Sequence, residues 1–486
     1  MTLERSIAPP VEAWRHRGFT APRGVTATTM ITVYLVLLFA VPSNVTLGPL
    51  GSVGRPALLW GILLLVWWVL SRLQQRTVDA RPVWQPIRFA YAALVVVALV
   101  AFAAAMLRGQ PADQVSPAIT ALLRLMSWGG VLLVAMDGVR TYYEATRLVR
   151  WLVVVAALAS VLGLAQSFTG SSLLEWVHSF PGVSVDLGGV DSRGDFTRAS
   201  GTATHPLEFT ASIVGVLPLA IATAIAGGYR AATRRQALLW WTPAALIALV
   251  SMLAVSRSAL IGLVVAVVAS VPGLPKAYRW VIGVAGLCGS LIVIAAVPGL
   301  FGTVLSLFTN AAGDPSALSR TNALARVPEF IGASPLIGQG FGTFLPRYYI
   351  FDNQWVLIAI ELGILGLVCF TALIVAAMWS AIRASRRSPY GETRTLARSI
   401  AASVATLAAL FLFFDGLSFP ISAGLFFLVM GLTAAIRTIG EADKALFDAD
   451  TRLQGLLEKE PRGGAPAASG GAGRTTGQGR KVQDER

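Results

Sequence analysis

The sequence predicts an all-α polytopic membrane protein with about 12 transmembrane helices, and three observations predict it. Of 486 residues, 55 % are hydrophobic and 13 % charged, where a water-soluble domain carries about 25 % charged residues. Apolar windows of about 20 residues, the length that spans a bilayer, recur along the chain. Lys and Arg concentrate in alternate connections, as cytoplasmic loops do.

The N-terminal segment 1–27, with Arg5, Arg15, Arg17 and Arg23, is expected in the cytoplasm. It is polar for too long to be a cleaved signal peptide, so the first span is expected to serve as the targeting signal. Spans near 28–42 and 57–71 lead to Arg72, Arg76, Arg81 and Arg88. Spans near 89–107 and 118–136 lead to Arg140, Arg147 and Arg150, and those near 150–168 and 207–227 to Arg230, Arg234 and Arg235. Spans near 237–255 and 258–273 lead to Lys276 and Arg279. Those near 279–300 and 353–381 enclose a long outer loop and lead to the basic stretch Arg383–Arg398. The last pair, near 399–415 and 417–437, precedes a cytoplasmic tail, 438–486, whose Gly, Ala, Pro and charge predict disorder from about 460. This topology puts 30 of the 39 Lys and Arg residues, and both termini, in the cytoplasm.

The net charge of +14 is then topological, with anionic lipid as its counterpart rather than nucleic acid. Cys288 and Cys369 lie in apolar runs, and His16 and His178 have no metal-ligand setting, so no metal and no cofactor is expected. Internal repeats, a Walker loop and paired broken spans of a symmetric transporter are absent.

Two outer loops are long, about 169–206 and 301–352, and function is expected there. Of eight outward arginines, six fall in three neighbouring segments: Arg193 and Arg198, then Arg257, then Arg320, Arg326 and Arg347. Arginines on the translocated side call for a partner, and guanidinium suits phosphate oxygens through paired donors. The plainer alternative is solvation or pairing with Asp186, Asp191, Asp195, Asp314 and Glu329 nearby. Arg257 in "AVSRSAL" is flanked by apolar residues on both sides, which places its charge at the membrane face, where ionisable groups are usually functional or snorkel. His205 in "RASGTATHPLEFTAS" stands where Pro206 starts a helix, as a base or donor or as an ordinary cap. Arg124 and Glu361 lie inside apolar runs and are functional suspects on that ground alone, with a structural charge pair the alternative.

The segments "VSRSALIGLVV", "SRTNALARVPEFIGASPLIGQGFGTF" and "DNQWVLIAIELGILGLV", in this order, resemble the core of the O-antigen ligase and Wzy-type polymerase family over about 250–370. The resemblance implies a metal-independent glycosyltransferase of the GT-C type. Such an enzyme takes a glycan from undecaprenyl pyrophosphate outside the membrane and passes it to a lipid-anchored sugar or another lipid-linked glycan. Arg257 matches the family's arginine in its "SR" turn and Arg320 the one that opens the loop helix, with Arg198 and Arg326 as further pyrophosphate candidates. Gly338, Gly340 and Gly342 permit close backbone approach and so line the donor cleft or simply pack on the bundle. Many ligases carry His-Asn before the tenth span, the His being assigned to the acceptor hydroxyl; this chain has Asp352-Asn353. Asp352 then accepts that proton, or orients the acceptor while His205 or no residue acts as base. The alternatives are a flippase or transporter for lipid-linked sugar and a non-catalytic partner in envelope polysaccharide assembly.

Overall fold

A computed structural model describes residues 25–74, 83–185, 191–193, 196–230, 233–297, 299, 302, 305, 309 and 315–459. Its main helices are α1 (Ala27–Ala40), α2 (Pro56–Leu73), α3 (Pro86–Leu107), α4 (Ala112–Gly138), α5 (Tyr142–Thr169), α6 (Pro206–Ile225) and α7 (Trp241–Leu253). They continue with α8 (Arg257–Ser270), α9 (Lys276–Ala296), α10 (Pro315–Gly332), α11 (Gln354–Arg387), α12 (Gly391–Leu410) and α13 (Pro420–Lys459). Two short antiparallel pairs decorate one end: β1 (Thr46–Leu47) with β2 (Val183–Ser184), and β3 (Asp191–Arg193) with β4 (Phe196–Arg198).

Each of the twelve apolar windows coincides with a helix, but not every helix qualifies as a span. Nine among the described residues are long and apolar enough to cross a membrane, counting Arg234–Leu253 as one. The helices α1 and α8 are apolar but shorter. In α12 the first turns carry Glu392, Arg394 and Arg398, so composition alone does not place it across the bilayer. The helix α10 lies within the expected outer loop 301–352, most of whose first half is outside the described residues.

Local chemistry sets the ends. Thr141 and Glu144 form a reciprocal capping box at α5, Thr26 caps α1, and Asn353 Oδ1 accepts from the backbone N–H groups of Trp355 and Val356 at α11. The helix α13 does not stop at 437 but runs to Lys459, its polar end carrying Lys444 beside Asp448 and Gln454 beside Asp450. Residues 460–486, where disorder is expected, lie outside the described residues.

The two innermost helices are α6 and α13, each with 94 % of its membrane window buried, whereas none of α9 is. Lipid does not drive apolar helices together, so close packing must, and small residues allow it. Gly215 of α6 faces Leu407, and on α13 Gly424 faces Tyr34 and Gly431 faces Leu132 and Ala135.

At one end of the bundle Asp137 accepts from Arg72, Arg88 and Trp68, and Arg383 pairs with Glu441. The other end carries the strand pairs and the loop 333–352. The Phe39 carbonyl accepts from Thr202 Oγ1 at 2.7 Å, and Ser43 N donates to the Thr202 carbonyl at 2.8 Å. We call the two the basic end and the loop end.

Candidate active site

The loop end collects most of the polar residues singled out in the sequence, and the chain reaches it through strained backbone. Val255, fully buried against Val293, Ile294 and Val297, has φ +45°, and Asp352 has φ +49°. A left-handed residue costs on the order of 1–3 kcal/mol, and for a β-branched valine it is a true outlier. Each strained position aims a candidate group: Val255 turns α7 into α8, which opens at Arg257, and Asp352 turns the loop into Asn353, the cap of α11. Such strain gathers at functional sites.

The α11 end is held by the turn between α12 and α13. Asn353 N donates to Asp415 Oδ1 at 2.8 Å, Gln354 N to the Phe411 carbonyl at 2.8 Å, and Leu417 N to Gln354 Oε1 at 2.7 Å. The same turn meets the start of α6, where the His205 ring lies 6.2 Å from that of Phe419. His205 caps α6, its Nδ1 accepting from Leu207 N at 3.1 Å. That bond commits Nδ1 as an acceptor, so a neutral His205 carries its proton on Nε2 and offers a donor there. Gly262 packs on Leu410, which sets the start of α8, with Arg257, at the same end.

Beside His205, Glu208 is fully buried, and its carboxylate accepts from Thr204 N at 3.0 Å, Ile421 N at 2.7 Å and Ser43 Oγ at 3.3 Å. Arg55 lies near it: burial pushes that guanidinium below its usual range and Glu208 opposes the shift. Sequence reading passed over both. The signal for Glu208 was slight, because an acid in the first turn of a helix is ordinary.

The loop "SPLIGQGFGTF" is built into the bundle. Gly363, with φ +65° and ψ −166°, breaks α11 and leaves backbone groups that must be satisfied away from water. The loop satisfies them: Gln339 N and Gly340 N donate to the carbonyls of Ile360 and Glu361, and Ile364 N and Leu365 N donate to those of Pro335 and Leu336. A side chain at Gly338 would strike the Glu361 carbonyl, and one at Gly340 would crowd Ala105 and Thr343. Both glycines therefore serve this join. Glu361, left without a role by the sequence, accepts from Phe344 N at 3.3 Å and holds the end of the loop.

Between the loop, α4 and α11 lies a cavity of about 270 Å³ lined by Ser116, Thr120, Arg124, Trp128, Phe341, Gly342, Gln354, Glu361 and Ser418, among others. Arg124 also borders a narrower cleft that reaches Ser43 and Arg55.

Residues 242–371 match the O-antigen ligase family model, Wzy_C. The match bears out the resemblance seen in the sequence and covers α7 to α10, the built-in loop and the first half of α11. No curated protein matches the chain. Within the ligase segment the structure brings Arg257, Asp352 and Asn353 to one end of the bundle, and from outside the segment it adds His205, Glu208 and Asp415. The remaining candidate arginines keep other contacts around this end or have undescribed side chains. Arg326 pairs with Glu329 at 3.2 Å and covers the rings of Phe330 and Tyr349 on an aromatic cluster. Arg198 sits on β4, opposite Asp191. The backbone of Arg320 belongs to α10, and its side chain is outside the described residues. Arg347 pairs with Asp113, which ties the loop to α4.

Proposed function

We propose that this protein is an inverting, metal-independent glycan transferase of the O-antigen ligase or polymerase type. It moves an oligosaccharide or polysaccharide from undecaprenyl pyrophosphate to an acceptor hydroxyl on the extracytoplasmic face of the bacterial inner membrane, with about twelve spans and both termini inside. The observation that carries this reading is the ligase-family segment whose two strained turns deliver a cation, Arg257, and a carboxylate, Asp352, to the same end of the bundle.

Attack of the acceptor oxygen on the anomeric carbon breaks its bond to the pyrophosphate, which departs with the electron pair. Charge grows on the leaving group, and preorganised cations lower that barrier. Arg257 is assigned to it, with Arg320, Arg198 and Arg326 as further contributors. Asp352 takes or orients the acceptor proton, and Asn353, capping α11, fixes the carboxylate's approach. His205, with Nδ1 engaged, acts through Nε2 as a donor in preference to a base.

The test is purified protein supplied with lipid-linked glycan and assayed for release of undecaprenyl pyrophosphate. Arg257→Ala or Arg320→Ala is expected to lower the rate by about 10²–10³-fold while the protein still inserts. Full activity in both variants would remove the pyrophosphate role.

A further inference from the structure

Arg124 is placed within α4, a helix long and apolar enough to cross a membrane, and its buried Nε has no hydrogen-bond partner among the described residues. A second cation, Arg55, lines the same narrow cleft, and its Nε and Nη1 are buried without hydrogen-bond partners. An arginine so placed is expensive to keep, and such residues normally mark a ligand path.

The cavity around it has the chemistry of a sugar site. Ser116, Thr120, Gln354 and Ser418 supply hydroxyls and an amide, and Trp128 supplies an aromatic wall for the apolar face of a pyranose. The 270 Å³ volume admits a monosaccharide unit or little more. The positive charge here is small: Arg124 is the cation in the cavity wall, and Glu208 stands beside Arg55 in the adjoining cleft. A pyrophosphate with two or more charges is poorly matched to such a wall. A pyranose with a single carboxylate or phosphate is well matched, its oxyanion on Arg124 and its hydroxyls on the polar wall.

We propose that this cavity is a subsite for one acidic sugar unit of the transferred or accepting glycan, read by Arg124 with Arg55 behind it. The inference deepens the transferase reading and rests on it.

The test uses full-length protein in lipid nanodiscs, with methyl glucuronide, methyl glucoside and sugar-free undecaprenyl pyrophosphate as probes. Wild type is expected to prefer the glucuronide to the glucoside by about tenfold, the size of one charge-assisted contact. In Arg124→Gln the preference disappears, while the affinity for the glucoside and for undecaprenyl pyrophosphate is kept. Equal binding of the two sugars by wild type would overturn the proposal without any variant. So would a loss of undecaprenyl pyrophosphate binding in Arg124→Gln with the sugar preference intact. Binding of undecaprenyl pyrophosphate by wild type and its loss in Arg257→Ala test the donor assignment separately, so the two failures are distinguishable.

Discussion

Asp352 shows how one residue's backbone makes its chemistry testable. At φ +49° an asparagine is as comfortable as an aspartate, so Asp352→Asn removes the charge and little else. If the carboxylate assists proton removal, turnover falls by about 10²–10⁴-fold with unchanged protein yield; an Asn variant at wild-type rate would leave Asp352 as an orienting group at most. Glu208 makes the opposite kind of prediction. Its oxygens serve two backbone N–H groups and a hydroxyl in a fully buried position, so Glu208→Ala strands those donors. A buried polar group left unsatisfied costs about 1–3 kcal/mol each, and a clear fall in the thermal unfolding midpoint in detergent is expected. An unchanged midpoint would mean that the α6 start does not depend on this carboxylate. His205 was legible as a helix-start residue but not as one whose Nδ1 is already committed.

At the scale of elements, the unusual object is α11, a helix opened at Gly363 and closed again by a loop. The four backbone hydrogen bonds across the opening bind the ligase segment's glycine-rich loop to the helix that follows Asp352. Gly338→Ala and Gly363→Ala each place a side chain at positive φ against backbone atoms, of Glu361 in one case and Leu336 in the other. Each is expected to lose more than about 1 kcal/mol of stability and to lower activity together with folded yield. Gly283→Ala on the exposed helix α9, where the added carbon meets nothing, is the control and is expected to be neutral. The same midpoint shift in all three would detach the effect from the join. The spacing "GQGFG" showed that glycines were needed here, but two uses of a glycine, ligand approach and backbone packing, look alike in a sequence.

The whole molecule is a bundle with two unlike ends, and function is assigned to the one with few cations. Part of the charge at the basic end is paired within the bundle, Asp137 meeting both Arg72 and Arg88. Orientation is checked by labelling intact cells with a membrane-impermeant maleimide after Cys288 and Cys369 are replaced by Ala. A cysteine at the exposed Ser184 is expected to react from outside, and one at the exposed Arg140 only after lysis. The reverse pattern would put the proposed site in the cytoplasm and end the transferase reading as stated.

By itself the sequence determined the helical membrane class, the place of nearly every helix and the ligase-type segment. These follow from local quantities, hydropathy over a bilayer's thickness and the distribution of Lys and Arg. The tertiary structure alone decided that Arg124 faces a cavity, that Glu361 accepts from the backbone of a loop end, and that Glu208 and Asp415 belong beside the candidate site. The physical reason is that burial in a bundle depends on which faces of distant helices meet. Residues such as Arg55, Arg124 and Gln354, far apart in the chain, become neighbours only when α2, α4, α11 and the turn before α13 pack together.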